Sequence, residues 1–228
     1  MSEIKLTIIG SNSDLVQPLI KELISNNIIL QNIERKDWDL STQTANNETI
    51  SKIINFAPSH LLFSAGVNQP ICLDNIKVKD LIKNIELHMN INCISLISLV
   101  INLQKELKKP LRAVHAISSL YGIYGRKTRL PYSISKHALE SAIKCLALEY
   151  PETQFIGYRP GFFDTKLTSA NMDKKMQENI KEKIPSYRFG KVKEFSKLLT
   201  QNIINSPPYL TGSIITIDGG LTAGGFFN

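Results

Sequence analysis

The sequence predicts an α/β fold, a doubly wound parallel sheet with helices on both faces, running as a single domain over 1–228. Three observations carry this. Short apolar runs alternate with longer stretches of helical periodicity along the whole chain, the order expected of βαβ units. Gly10 closes the first apolar run and opens the first helical stretch. A strand, a glycine turn and a helix N-terminus in that order present free backbone N–H groups to an anion. The apolar run Ala113 to Ile117 places Ser119 just past the end of a buried strand, where open α/β sheets hold their ligands. A chain of 228 residues is long enough to bury one such core.

In chain order, Ile4 to Ile9 reads as the first strand. The helix after Gly10 carries Leu15, Val16, Leu19, Ile20, Leu23 and Ile24 on one face, and Pro18 sets its start close before itself. Ile28 to Ile33 is the second strand, Asn47 to Phe56 a helix, and His60 to Ser64 a buried strand leading into Ala65-Gly66. Val78 to Lys108 reads as two helices meeting near Asn90. Ala113 to Ile117 is followed by a helix after Pro131, a residue suited to a first helical position. Gln154 to Arg159 is a strand that Pro160-Gly161 ends. Residues 162–190 form a long excursion with a helix around Met172 to Lys183. Segments of that length are commonly lids, and here a substrate lid is expected. Val192 to Asn205 is a helix, and Thr211 to Gly220 holds the last strand and its turn.

The chemistry concentrates between Ser119 and Lys136. Tyr132 and Lys136 are four apart on a helix and so share a face. A free phenol has a pKa of about 10, and bringing it near 7 takes about 4 kcal/mol, which a nearby cation can supply. With Ser119 thirteen positions before Tyr132, the constellation resembles that of the short-chain dehydrogenase/reductase family. Further pieces agree in order: Ile9-Gly10-Ser11-Asn12-Ser13-Asp14-Leu15, Ser64-Ala65-Gly66, Asn92, Arg159-Pro160-Gly161 with Thr165, and Ile217-Asp218-Gly219-Gly220. The resemblance covers nearly the whole chain.

The resemblance implies a Rossmann-type NAD(P)-dependent oxidoreductase that interconverts a carbonyl and an alcohol. Tyr132 would be the general acid/base, and Ser119 would hydrogen-bond the carbonyl oxygen. Lys136 would lower the Tyr132 pKa, and Asn92 would hold a relay water. The implied dinucleotide contacts are Gly10, Ser11, Asn12, Ser13, Asp14, Leu15, Arg35, Asp39, Leu40, Ala65, Gly66, Tyr132, Lys136, Pro160, Gly161 and Thr165. Two departures stand out: Asp14 and Val16 occupy positions where the family has glycines, and a side chain at Val16 would limit close approach. The loss of those glycines also motivates an alternative, a catalytically inactive dinucleotide-binding sensor or scaffold. The connection after the second strand is trimmed. Arg35 and Lys36 at the end of that strand favour NADP over NAD, because an Arg there accommodates a 2′-phosphate, while Glu34 argues the other way.

Three cysteines with no metal-like spacing imply no metal and no disulfide framework, and fit a reducing, cytoplasmic setting. Met1-Ser2-Glu3 followed by a strand-like run is not expected to act as a signal peptide. The apolar stretch Ile91 to Leu103 is expected to be too short and too polar to span a membrane. The net charge of +7 is scattered among glutamates, so nucleic acid is not the expected partner. Arg126, Lys127 and Arg129, with Lys166, Lys174, Lys175, Lys181, Lys183 and Arg188 opposite, would line two basic rims. Those rims would suit an anionic small-molecule substrate, such as a nucleotide sugar or a carrier-linked acyl group. The resemblance also implies a homodimer or homotetramer built through the long helices.

Overall fold

A computed structural model describes residues 3–42, 47–165, 168 and 172–224. Six parallel strands form one sheet: β1 (Lys5–Ile9), β2 (Ile29–Ile33), β3 (His60–Phe63), β4 (Ala113–Ile117), β5 (Gln154–Pro160) and β6 (Ser213–Ile217). Their order is β2-β1-β3-β4-β5-β6. The helices are α1 (Gln17–Ser25), α2 (Asn47–Phe56), α3 (Val78–Met89), α4 (Ser95–Glu106), α5 (Leu130–Glu149), α6 (Lys174–Lys183) and α7 (Val192–Asn205). Among the described residues no strand lies between β2 and α2, and β2 is one edge of the sheet.

Alternation along the strands feeds two apolar layers, because successive side chains of a strand point to opposite faces. Leu61 and Phe63 of β3 pack with Leu96, Leu99, Leu103, Leu139 and Ile143 of α4 and α5. Leu62 between them packs with Leu19, Leu23, Phe195 and Leu199 of α1 and α7. Both faces are therefore covered, which accounts for the almost wholly buried β3 and β4.

The two helices expected in Val78 to Lys108 are one continuous rod of 29 residues, Val78–Glu106. A π-helical turn at Asn90–Ile94 joins α3 to α4 at the expected position. The expectation that this region is too short to span a membrane is corrected in length. The rod passes on length and apolarity alone. Leu96, Leu99, Val100 and Leu103 are fully buried in the protein core, so its apolar stripe is spent on the sheet and its neighbours. Pro160 extends β5 by one residue and its ring needs no N–H partner there.

The base of the 162–190 excursion is pinned. Asp164 donates its N–H to Gly190 and Gly190 donates to Phe162, both at 2.9 Å. Ser186 donates to Gly219, beyond β6. Asp173 caps α6 by accepting from the Met176 N–H at 2.7 Å. Lys166 lies outside the described residues.

Candidate active site

The strand order reverses between β1 and β3. At such a switch point the two outgoing chains diverge and leave a crevice beyond the strand ends. A cleft of about 390 Å³ opens there. Its wall includes Gly10, Ser11, Asn12 and Ser13 after β1, Glu34 to Leu40 in part after β2, and Ser64 to Val67 after β3. Gly10 is required on two counts. Its φ is +84°, and an added Cβ would stand 2.7 Å from the Ala65 backbone. Ser64 fastens this corner by donating its hydroxyl to the carbonyls of Ile9 and Gly10 at 2.9 and 2.7 Å.

Val16 does not obstruct the cleft. It is fully buried in the layer beneath α1, and α1 begins at Gln17. The Val16 and Gln17 N–H groups are both bonded to the Ser13 carbonyl, at 2.9 and 3.0 Å. Asp14 and Leu15 do not line the cleft. At the far end, Arg35, Trp38, Asp39 and Leu40 form the wall. Asp39 accepts from the Ser41 N–H at 3.0 Å, and hydrogen bonding to Ser41 holds its carboxyl below the usual value. Lys36 is not part of the wall; it pairs with Glu34 at 3.3 Å.

Gly66 links the cleft to the residues of α4 and α5. A Cβ on it would lie 3.5 Å from Asn92 Oδ1 and 3.7 Å from Lys136 Nζ. Asn92 sits in the π-helical turn and straps Val67 in both directions, accepting from its N–H at 2.8 Å and donating to its carbonyl at 3.0 Å. It also donates to Ser135 Oγ on α5 at 2.8 Å. Both amide hydrogens are thus engaged by protein. Asn90, two residues earlier, instead donates to the Ser41 carbonyl.

Ser119 lies two residues past the end of β4, and its hydroxyl accepts from the Tyr121 N–H at 3.3 Å. Tyr132 lies in the first turn of α5, edge-on to Tyr121 with ring centroids 5.8 Å apart. Lys136 is buried; its ammonium donates to the Ile117 carbonyl at 2.8 Å and lies 5.8 Å from the Tyr132 ring centre. This corrects the expected electrostatics. Burial raises the Tyr132 pKa, and the hydrogen bond with Ser119 only partly offsets it. The ammonium gives its hydrogen bond to the strand end and lies against the ring, and burial outweighs what lowers the phenol. Burial also pulls Lys136 itself down to about 8. Pro160 ends β5, Gly161 and Thr165 lie beyond it, all three are outside the wall of the cleft, and Thr165 bonds to Thr168 at 3.0 Å. A Cβ on Gly161 would stand 2.7 Å from Asp218 Cα, so this turn packs on the end of β6.

A switch-point cleft with a glycine corner, joined through Gly66 to a serine, tyrosine and lysine at the next strand end, defines a dinucleotide-dependent oxidoreductase. The donor set suits a dinucleotide: small residues at the turn, hydroxyl and amide groups behind them, and Arg35 with Asp39 at the far end. A family model described as enoyl-(acyl carrier protein) reductase matches residues 33–222. The chain belongs to the short-chain dehydrogenase/reductase family. The matched range begins after the glycine turn.

The 3-oxoacyl-(acyl-carrier-protein) reductase of Buchnera aphidicola is 28% identical over 225 residues, covering 95% of this chain and 86% of that protein. The corresponding reductase of Rickettsia typhi is 26% identical over 222 residues, with the same two coverages of 95% and 86%. Among solved structures, 4-hydroxyisoleucine dehydrogenase complexed with NADH aligns with a TM-score of 0.83 at 20% identity, covering 97% of this chain and all of that one. The aldohexose dehydrogenase of Thermoplasma acidophilum aligns at 0.82 and 18%, covering 99% and 97%. At these identities the structural likeness shows the fold.

Proposed function

We propose that the protein reduces the 3-oxo group of a carrier-linked acyl thioester with NADPH, which leaves as NADP, using Tyr132 as the general acid. The observation that carries the chemistry is the gathering of Ser119, Tyr132 and Lys136 at the end of β4, with Ser119 accepting from the Tyr121 N–H, Tyr132 edge-on to Tyr121 and Lys136 donating to Ile117. The name of the Buchnera relative, aligned over most of both chains, supports the substrate class.

A bound dinucleotide supplies the hydride. Ser119 hydrogen-bonds the carbonyl oxygen, where negative charge grows. Tyr132 gives that oxygen its proton. A phenol whose pKa is raised by burial is protonated at neutral pH and suits reduction, whereas oxidation needs the phenolate. Lys136 stands behind Tyr132 and faces Gly66, where the ribose next to the reacting ring would be held. Asn92 fixes the Val67 backbone and α5 relative to each other, and water held near it would refill the relay. Pro160, Gly161 and Thr165 would close the site from the β5 side.

The test is loss of nicotinamide absorbance with a 3-oxoacyl thioester, set against neutral ketones and a nucleotide sugar. No turnover of the thioester would sink the substrate class. Rising salt should lower kcat/KM if Arg126, Lys127 and Arg129 attract an anionic carrier. Arg126 bonds to the Tyr121 hydroxyl at 2.5 Å and Arg129 to the Asn68 carbonyl at 3.1 Å, so both stand near the Tyr132 mouth.

For the cofactor, Arg35 is the cation in the cleft wall, and Lys36 offsets Glu34. Arg35→Ala is expected to lower the NADP/NAD affinity ratio about tenfold or more, since charge-assisted phosphate contacts are among the stronger polar ones. Equal ratios for wild type and variant, by titration calorimetry, would refute the NADP assignment. A cytoplasmic setting accords with Cys72, Cys93 and Cys145 all being free thiols. Assembly into a homodimer or homotetramer would cover Ile82 on α3 and Ile134 and Leu148 on α5, which are exposed. A monomeric mass by light scattering at micromolar concentration would contradict it.

A further inference from the structure

Beneath Ser119 and Lys136 the protein buries an ion pair that none of these roles uses. Glu140 lies one turn beyond Lys136 on α5 and is 4% exposed. Arg159, next to last in β5, grips both its oxygens, with Nε 3.0 Å from Oε1 and Nη2 2.5 Å from Oε2. The same guanidinium donates through Nη1 to Thr216 Oγ1 on β6 at 2.8 Å. Ser118, between β4 and Ser119, donates its hydroxyl to Glu140 Oε1 at 2.7 Å. Its N–H donates to the Tyr158 carbonyl at 2.6 Å. One carboxylate therefore gathers the carboxyl ends of three strands onto the helix that carries Tyr132 and Lys136.

Gly122 shows how tightly the carboxylate is seated. A Cβ there would fall 2.2 Å from Glu140 Oε1 and 2.9 Å from Ser118 Oγ. Gly122 ends the single 3-10 turn that Ser119 opens, so this turn rests directly on the ion pair. A buried pair of charges is a poor source of net stability, since well-packed apolar residues often do as well. It differs from them in direction, because its hydrogen bonds fix the orientation of each strand end.

We propose that Glu140 and Arg159 are positioning residues for the reaction, acting through Ser118 to set how Ser119 presents its hydroxyl to Tyr132. The proposal rests on the reading of Ser119 and Tyr132 given above.

The test measures kcat, KM, dinucleotide affinity and melting temperature for Ser118→Ala, Glu140→Leu and Glu140→Gln, with NADPH and a 3-oxoacyl thioester as probe. Ser118→Ala is expected to lower kcat about tenfold, with KM, dinucleotide affinity and melting temperature near wild type, because small misplacements of a reacting group are costly. Glu140→Leu should lower kcat at least as much. Glu140→Gln keeps an oxygen for Ser118 and should recover most of that loss, although it strips Arg159 of its counter-charge and should melt lower. A purely structural pair predicts the opposite pattern, with kcat per folded molecule unchanged in all three and only the melting temperatures moving. That result would overturn the proposal. Tyr132→Phe in the same assay separates the two readings. If it too turns over normally, the site reading has failed; if it alone is inactive, only the positioning role has.

Discussion

Tyr132→Phe is expected to lower kcat by about 10²- to 10⁴-fold, the typical worth of a positioned proton transfer. The substitution removes one oxygen and little else. The ring keeps its edge-on contact with Tyr121 and its place beside the Lys136 ammonium. It also stands outside the wall of the switch-point cleft, so dinucleotide affinity should stay within about twofold. The loss should then appear in kcat and not in KM, which marks an interaction made in the transition state. Near-normal turnover of a 3-oxoacyl thioester by the variant would remove Tyr132 from the mechanism.

A second large effect is expected from acid. His60 and His115 lie on neighbouring strands, 4% and 0% exposed, with their rings stacked at 6.3 Å. His60 Nδ1 is 2.8 Å from Ser59 Oγ, and His115 Nδ1 is 2.9 Å from the Tyr158 hydroxyl. No carboxylate among the described residues bonds to either ring, and Arg112 adds a like charge near His60. Burial accordingly holds His60 at about 4 and His115 at about 3. Both folded values lie below the ordinary 6.5, so folding favours the neutral rings. Above pH 6.5 the pair leaves stability unchanged. Below it the unfolded chain takes up two protons that the folded one does not, until His60 titrates near 4.

Stability should fall by about 2.7 kcal/mol per pH unit between roughly 6 and 4.5, against a total of about 5–15 kcal/mol for a typical domain. Urea unfolding at pH 7 and 5 measures it. His115→Gln keeps a polar group and removes one titration, so the slope should halve. Wild-type stability that is flat over that range would contradict the argument.

The strands were legible because each is a short apolar run between turn residues, and a parallel sheet covered on both faces demands that pattern. The Ser119, Tyr132 and Lys136 spacing was legible because one helix and one strand end determine it. What escaped the sequence depends on contacts between distant segments. The continuity of α3 and α4 rests on a π-helical turn, which no local composition announces. The direction of the Tyr132 shift depends on how deeply the phenol is buried and on where the Lys136 ammonium spends its hydrogen bond. Both are tertiary facts. Val16 reads as an obstruction beside a glycine motif, but the late start of α1 turns it into the core. Glu140 and Arg159 are nineteen residues apart and look like ordinary surface charges until the fold buries them together. Gly122 is likewise an ordinary glycine in the sequence until the fold sets the Glu140 carboxylate against it.

The short turn after β2 has an optical consequence. Where a longer connection would build the outer wall of the cleft, this chain uses the short turn from Glu34 to Leu40, closed by Asp37 accepting from the Glu34 N–H. Trp38 stands in that wall and is the sole tryptophan of the chain. Its emission therefore arises from one site, beside the place where an adenosine would lie. Intrinsic fluorescence then reads cleft occupancy with no turnover and no known substrate, for wild type and for variants that have lost activity alike.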